Sequence, residues 1–196
     1  MNLIENQLKR QELIEIIKRN GIIVSDQPIV LSSGEKSNYY YDLKMVLADP
    51  VGATLIGELL YDIIAREFGG NSVGGLEMGA VPISTAIIIN SIKRRGSQGT
   101  RQFIVRRNVK THGSGKKVEG YLIDPIVVVD DVMTNGSSVA HAIEAVRNEG
   151  YETAGVVLVI DREVPNNSIR SKVKSFSLFK HSDFSEFIDN RLEELH

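Results

Sequence analysis

The stretch over residues 126–140, I-V-V-V-D-D-V-M-T-N-G-S-S-V-A, constrains this chain more than any other. Residues 126–129 are consecutive β-branched side chains, a run that reads as a short strand buried on both faces. Asp130 and Asp131 sit where that strand is expected to end. Thr134, Asn135, Gly136, Ser137 and Ser138 are small residues able to line a tight loop with free N–H groups. Val139, Ala142, Ile143 and Val146 then follow at helical spacing. A strand feeding such a loop and a helix N-terminus is an anion site, because unpaired amides and the helix dipole both favour phosphate there. The paired aspartates would hold hydroxyls or a cation beside it, and a sugar phosphate with Mg²⁺ satisfies both requirements. The competing reading of Asp-Asp is a helix cap before a surface turn.

The rest of the chain alternates helix and strand signals. Leu3, Ile4, Leu8, Leu13, Ile14 and Ile17 form one helical stripe, stopped by Gly21. Apolar pieces at 22–24 and 29–31 flank Asp26-Gln27-Pro28, which predicts a hairpin or a bend between strands. Pro50 opens a helix that buries Val51, Leu55, Ile56, Leu59, Leu60, Ile63 and Ile64 and ends near Gly69-Gly70. A strand over 72–76, a loop Glu77-Met78-Gly79-Ala80, a helix from Pro82 to Ile92 and a strand over 102–105 come next. That loop is a second strand–helix junction where backbone N–H groups could meet phosphate. Beyond the opening motif lie an apolar strand over 154–160, ended by Asp161-Arg162-Glu163, an edge strand over 173–179 and a terminal amphipathic helix. This order predicts an α/β fold, a parallel sheet covered by helices on both faces. A length of 196 residues suits one domain with a full core.

Two further stretches are unusual. In S-S-G-E-K-S-N-Y-Y-Y-D-L-K, residues 32–44, three consecutive tyrosines cannot all face one core, because strand side chains alternate. At least one ring should face a cavity or another chain, and an aromatic face beside Lys36 and Lys44 suits a flat, anionic ligand. Residues 106–120 carry five basic residues plus His112 and no apolar period. A loop of that length is usually a lid or a binding loop. Gly115-Lys116 is not a phosphate-binding P-loop, since Lys110 stands where that motif needs glycine and Lys117 where it needs Ser or Thr.

Composition excludes several chemistries. The chain has no cysteine, which removes disulfides, thiolate catalysis and cysteine metal sites. A net charge of −2 gives no reason to expect nucleic acid or an anionic membrane as partner. Charged residues at 5, 9, 10 and 12 rule out a signal peptide, and no apolar run approaches the ~20 residues a bilayer needs. A cytoplasmic protein is the expectation.

The motif at 126–140 resembles the 5-phosphoribosyl 1-diphosphate (PRPP) signature of the type I phosphoribosyltransferases: apolar strand, two acidic residues, two more residues, then Thr-x-Gly-Ser. Within that family the chain resembles the orotate phosphoribosyltransferases. L-S-S-G-E-K-S-N-Y-Y-Y-D is similar to their N-terminal hood segment, whose aromatic pair, here Tyr40 and Tyr41, lines the orotate pocket. The basic segment resembles their mobile catalytic loop, with Arg106, Arg107, Lys110 and His112 at matching positions. Asp161-Arg162 resembles the Asp-Arg pair whose arginine meets the orotate carboxylate.

The resemblance implies a hood mainly over 1–45 with the C-terminal segment, and a core over about 50–165. It implies Lys110, Asp130 and Asp131 as catalytic residues. PRPP would contact Arg106, Arg107, Lys110, His112 and the run Asp130, Asp131, Val132, Met133, Thr134, Asn135, Gly136, Ser137 and Ser138. Orotate would meet Thr134, Arg162, Tyr40 and Tyr41. Mg²⁺ would be held mainly by PRPP, directly or through water to Asp130 and Asp131, with no dedicated protein site. A homodimer with shared active sites is implied as well. The alternatives are a purine phosphoribosyltransferase, or a PRPP-sensing regulator without catalysis. Ser32 and Glu77-Met78-Gly79-Ala80 depart from members that have lysines there, leaving the anions to Lys36, the loop and backbone amides.

Overall fold

A computed structural model describes residues 3–31, 34–108, 116–165 and 167–195, and of Leu3 the backbone alone. Helix α1 (Leu3–Asn20) leads into an antiparallel hairpin of β1 (Ile22–Val30) and β2 (Lys36–Tyr41). Helices α2 (Leu43–Ala48) and α3 (Pro50–Glu67) follow, and then β3 (Ser72–Leu76), α4 (Ala80–Arg95), β4 (Arg101–Val105) and β5 (Val118–Gly120). The second half comprises β6 (Ile126–Met133), α5 (Ser137–Asn148), β7 (Thr153–Asp161), α6 (Ser168–Lys172), β8 (Ser175–Lys180) and α7 (Ser185–Glu193). The main sheet has the order β5-β4-β3-β6-β7-β8, parallel throughout except for β5 against β4.

Alternation along β6 explains the layers. Val127 and Val129 join an apolar cluster with Ile56, Leu60, Ile83 and Ile87 of α3 and α4. Ile126 and Val128 join a second cluster with Val139, Ala142 and Val146 of α5. All four strand residues are fully buried, each worth roughly 1.5–3 kcal/mol relative to exposure. A continuous β-branched run is therefore what a strand covered on both faces requires.

Several elements differ from the sequence reading. Of the α1 stripe, Leu13 and Ile17 are buried, but Ile4 and Leu8 lie open at 63% and 60% exposure while Ile16 is buried. The N-terminal half of α1 instead meets α3 through polar contacts, Lys9 to Glu58 at 3.1 Å among them. Residues 22–30 are one strand with an irregularity between Val24 and Ile29, so Asp26-Gln27-Pro28 is a bulge and not a turn. Strand β5 emerges at the end of the basic segment, and α2 and α6 are turns too short to show a period. Asp49 caps α3, its Oδ1 accepting from the amides of Val51 and Gly52 at 2.9 Å. No helix among the described residues is long and apolar enough to cross a membrane.

Candidate active site

Strand β6 runs past the point where the sequence suggests it ends. Its ladder with β3 stops at Gly74 opposite Val128, whereas the ladder with β7 continues to Met133 opposite Asp161. Asp130 and Asp131 therefore lie within the strand, on a stretch paired on one side only. The freed edge opens on a cavity of about 300 Å³. It lies beyond the carboxyl ends of parallel strands, where ligands of open α/β sheets bind.

Asp130 is 7% exposed. Burial first, and the charge of Asp131 second, push its carboxyl well above the usual carboxylate range. Each aspartate accepts a backbone bond from the next residue, Asp130 Oδ1 from Asp131 N–H at 3.1 Å and Asp131 Oδ1 from Val132 N–H at 2.8 Å. Neither caps a helix, because α5 starts at Ser137 and its cap position is Gly136. The capping alternative is thereby excluded. Gly79 comes so close that a Cβ there would stand 3.0 Å from Asp131 Oδ1 and 3.3 Å from Asp130 Oδ1. A larger residue there would require the carboxylates to give way by a few tenths of an ångström.

Residues 134–138 line the same cavity beneath the N-terminus of α5. Gly136 has φ +81°, and a side chain there would press on Ile169 at 2.6 Å, so the turn demands glycine twice over. Asn167, buried at the start of α6, donates to the Thr134 carbonyl at 2.8 Å and braces the loop from behind. Gly136 has no side chain to cap α5, and Asn135 Oδ1 accepts only from the Ser137 N–H, at 3.1 Å, so the remaining first-turn amides are left to an anion. Val132 and Met133 border the cavity too, but Met133 is 1% exposed and turns its side chain into the core.

The basic segment divides. Arg107 borders the cavity, with its backbone N–H donating to Glu77 Oε1 at 3.1 Å. Arg106 does not reach the cavity lining; its guanidinium bonds Glu119 at 2.6 Å and Glu77 at 3.4 Å. Glu77 thus ties the loop after β3 to the root of the basic segment. Lys110 and His112 lie outside the described residues. Lys44 borders the cavity beside Tyr40, 5.9 Å from its ring, whereas Lys36 stays exposed outside the lining.

The three tyrosines separate as strand alternation requires. Tyr40 faces the cavity with Lys44. Tyr41 touches its edge but is 3% exposed, and its hydroxyl lies 2.9 Å from His181 Nδ1. Burial pushes the Tyr41 hydroxyl far above its ordinary range, so it stays protonated. Arg162 also borders the cavity. Its turn is held from both sides, Arg162 N–H donating to Met133 O at 3.0 Å and Asp161 forming a two-pronged pair with Arg170 at 2.6 and 2.8 Å. Sequence reasoning missed Asn167, Glu77 as a brace and Tyr39, whose ring lies 4.6 Å from the Arg162 guanidinium. Pattern alone gives none of the three a signal, apart from the Asx-type start of α6 at Asn167.

The acidic pair suits a divalent cation of a particular kind. Among the described residues no cluster of three acidic or histidine side chains exists that would hold a metal unaided. Two carboxylates on one cavity wall fit an ion whose other ligands are phosphates and water, as Mg²⁺ prefers.

Comparison with known proteins agrees with this geometry. The family model for the phosphoribosyl transferase domain matches residues 42–191. An orotate phosphoribosyltransferase of Aquifex aeolicus is 40% identical over 182 residues, 90% of this chain and 97% of that one. One of Pyrococcus abyssi is 33% identical, covering 90% and 96%. The crystal structure of Mycobacterium tuberculosis orotate phosphoribosyltransferase with PRPP superposes with a TM-score of 0.70 at 29% identity, over 90% of this chain and 99% of that chain. A cavity lined by an acidic pair, an amide-bearing loop and an arginine is thus found on a chain that belongs to the phosphoribosyltransferases and, within them, to the orotate phosphoribosyltransferase family.

Proposed function

We propose that this chain transfers the 5-phosphoribosyl group of PRPP to N1 of orotate, giving orotidine 5′-phosphate and diphosphate, a step of pyrimidine biosynthesis in the cytoplasm. The observation that carries this reading is one cavity lined by the amide loop at 134–138 and the Asp130–Asp131 pair together with Arg162 and Tyr40. The first two suit a ribose phosphate; the second two suit a flat base bearing a carboxylate.

Orotate N1 attacks C1 of the ribose with inversion as diphosphate departs, so no side-chain nucleophile is needed. The work lies in alignment and in meeting charge as it develops. Residues 134–138 hold the 5′-phosphate with their amides and hydroxyls, while Asp130 and Asp131 bind the ribose hydroxyls. Asp130 and Asp131 are also the residues that would hold Mg²⁺, directly or through water. When bound, Mg²⁺ supplies positive charge that neutralises the diphosphate. Arg107, with Lys110 and His112 of the same segment, meets the leaving diphosphate, and Glu77 and Arg106 brace the root of that segment. Arg162 pairs with the carboxylate of orotate, and Tyr40 lies along its ring. Residues 1–45 with α7 act as the hood over the base.

Arg162→Leu tests the base assignment. The KM for orotate should rise about ten- to 150-fold, since a hydrogen bond to a charged group is worth ~1.5–3 kcal/mol, with the KM for PRPP near wild type. Unchanged orotate kinetics would sink the carboxylate assignment.

We further infer a homodimer in which the basic segment serves the partner's site. Support comes from an apolar surface beside β5, the strand into which that segment runs: Ile89, Ile92 and Tyr121 are 57%, 61% and 63% exposed. Ile89→Glu with Ile92→Glu should give a monomer by sedimentation, because two charges buried in an interface are strongly unfavourable. The same variant should lose turnover. A dimer that persisted would place the interface elsewhere.

A further inference from the structure

Arg162 must present its guanidinium to the cavity, yet few hydrogen bonds hold it there. Its Nε is buried without a hydrogen-bond partner among the described residues. The one side-chain bond it makes among the described residues, Nη2 to Ser37 Oγ, is long at 3.4 Å. What supports the group instead is an aromatic stack outside the cavity lining. The guanidinium carbon lies 4.6 Å from the centre of the Tyr39 ring. That ring stacks on His181 at 4.9 Å between centres and 5° between planes. His181 is fixed in turn by the Tyr41 hydroxyl at 2.9 Å, and Tyr41 packs edge-on against Phe184 of the core. The assembly joins β2 of the hairpin, the turn after β7 and the segment after β8, three parts of the chain more than 100 residues apart at their extremes.

The chemistry of the stack matches its cargo. A guanidinium is planar and weakly hydrated, so it lies well on an aromatic face while its N–H edges stay free for an anion. Ser37 Oγ also accepts from the Tyr39 amide at 3.3 Å, which couples the ring's position to the same hydroxyl that touches Arg162. Burial, and after it the charge of Arg162, hold His181 below its usual range, so a neutral ring sits under Tyr39 and no second cation faces the arginine.

We propose that Tyr39, seated on His181, is a positioning residue that aims the Arg162 guanidinium into the cavity and thereby sets the affinity for an anionic heteroaromatic base. This rests on the reading above in which Arg162 meets the base's carboxylate. Tyr39 itself touches no substrate in this account; Tyr40, on the opposite face of the strand, does.

Steady-state kinetics on the full-length protein test it, with orotate and PRPP varied separately. Tyr39→Leu should raise the KM for orotate about three- to thirty-fold, the range for a cation–π contact at a partly desolvated site, and leave the KM for PRPP within about twofold. Tyr39→Phe keeps the ring and should stay within about twofold of wild type for both substrates. In an Arg162→Leu background, Tyr39→Leu should add nothing further, since the group it aims is gone. A general structural role would instead raise both KM values and add fully to Arg162→Leu; either result would overturn the proposal. If Tyr39→Leu does not fold, His181→Gln, which removes the supporting ring and spares Tyr39, should raise the orotate KM alone, and no change there would overturn the proposal equally. Should Arg162→Leu itself leave orotate kinetics untouched, the fault lies with the base assignment. A strong Arg162→Leu effect beside a silent Tyr39→Leu faults only the role of Tyr39.

Discussion

Turnover by Asp130→Asn combined with Asp131→Asn is expected to fall by about 10³-fold or more, the scale of losing preorganised charge-stabilising groups, with PRPP binding weakened alongside. Stability should move the other way. Asp130 is 7% exposed, and burial together with the charge of Asp131 raises its pKa in the folded protein. An acid whose folded pKa is raised adds stability that is fully present below its unfolded value, near pH 4, and is lost as pH rises through the folded value. At pH 7 the ligand-free wild type has therefore lost stability at Asp130, buried beside the half-exposed Asp131, and the asparagine variant relieves that cost. Its thermal midpoint should match or exceed wild type at pH 7, with the difference shrinking toward pH 4. Scanning calorimetry across that range, beside isothermal titration with PRPP and Mg²⁺, checks both halves. A midpoint well below wild type at pH 7, with PRPP affinity retained, would mean that the pair is structural.

The split between activity and stability at Asp130 also marks what a sequence makes legible. Hydrophobic runs are read by period, so 126–129 identify a strand buried on both faces, and the small residues after it identify a tight loop leading into a helix. The same reasoning ends the strand at Val129, because carboxylates are poor strand residues; pairing with β7 overrides that preference and carries the ladder to Met133. Consecutive tyrosines announce two faces, but nothing local says that Tyr40 meets the cavity while Tyr41 meets His181, 140 positions away. Arg106 and Arg107 look equivalent in sequence. They part company because Glu119 and Glu77 capture the guanidinium of Arg106, and the second of these lies 29 positions back. The stripe on α1 fails in its first half for the same reason: periodicity shows which residues share a face, not how far a neighbouring element extends along it. Propensity and period are local, whereas ion pairs, stacks and strand length are settled by partners distant in the chain.

Lys110 provides the test that joins chemistry to assembly. It lies outside the described residues, between Arg107 at the cavity and Val118, which opens β5. Its proposed task is to meet negative charge that grows on the departing diphosphate, so its contribution belongs to the transition state more than to the bound substrate. Lys110→Ala should then lower kcat by about 10²–10³-fold and raise the KM for PRPP far less. If the segment serves the partner subunit, Lys110→Ala and Asp131→Asn damage different halves of each site. Mixing the two inactive homodimers and allowing exchange forms heterodimers in which one site has lost both groups and the other is intact. Random pairing makes about half the dimers mixed, each with one of its two sites working, so activity should recover toward about a quarter of wild type. Native mass spectrometry reports the exchange independently of the assay. Mixed dimers without regained activity would show that the segment serves its own subunit, because every site would then lack either Lys110 or Asp131 whatever the pairing.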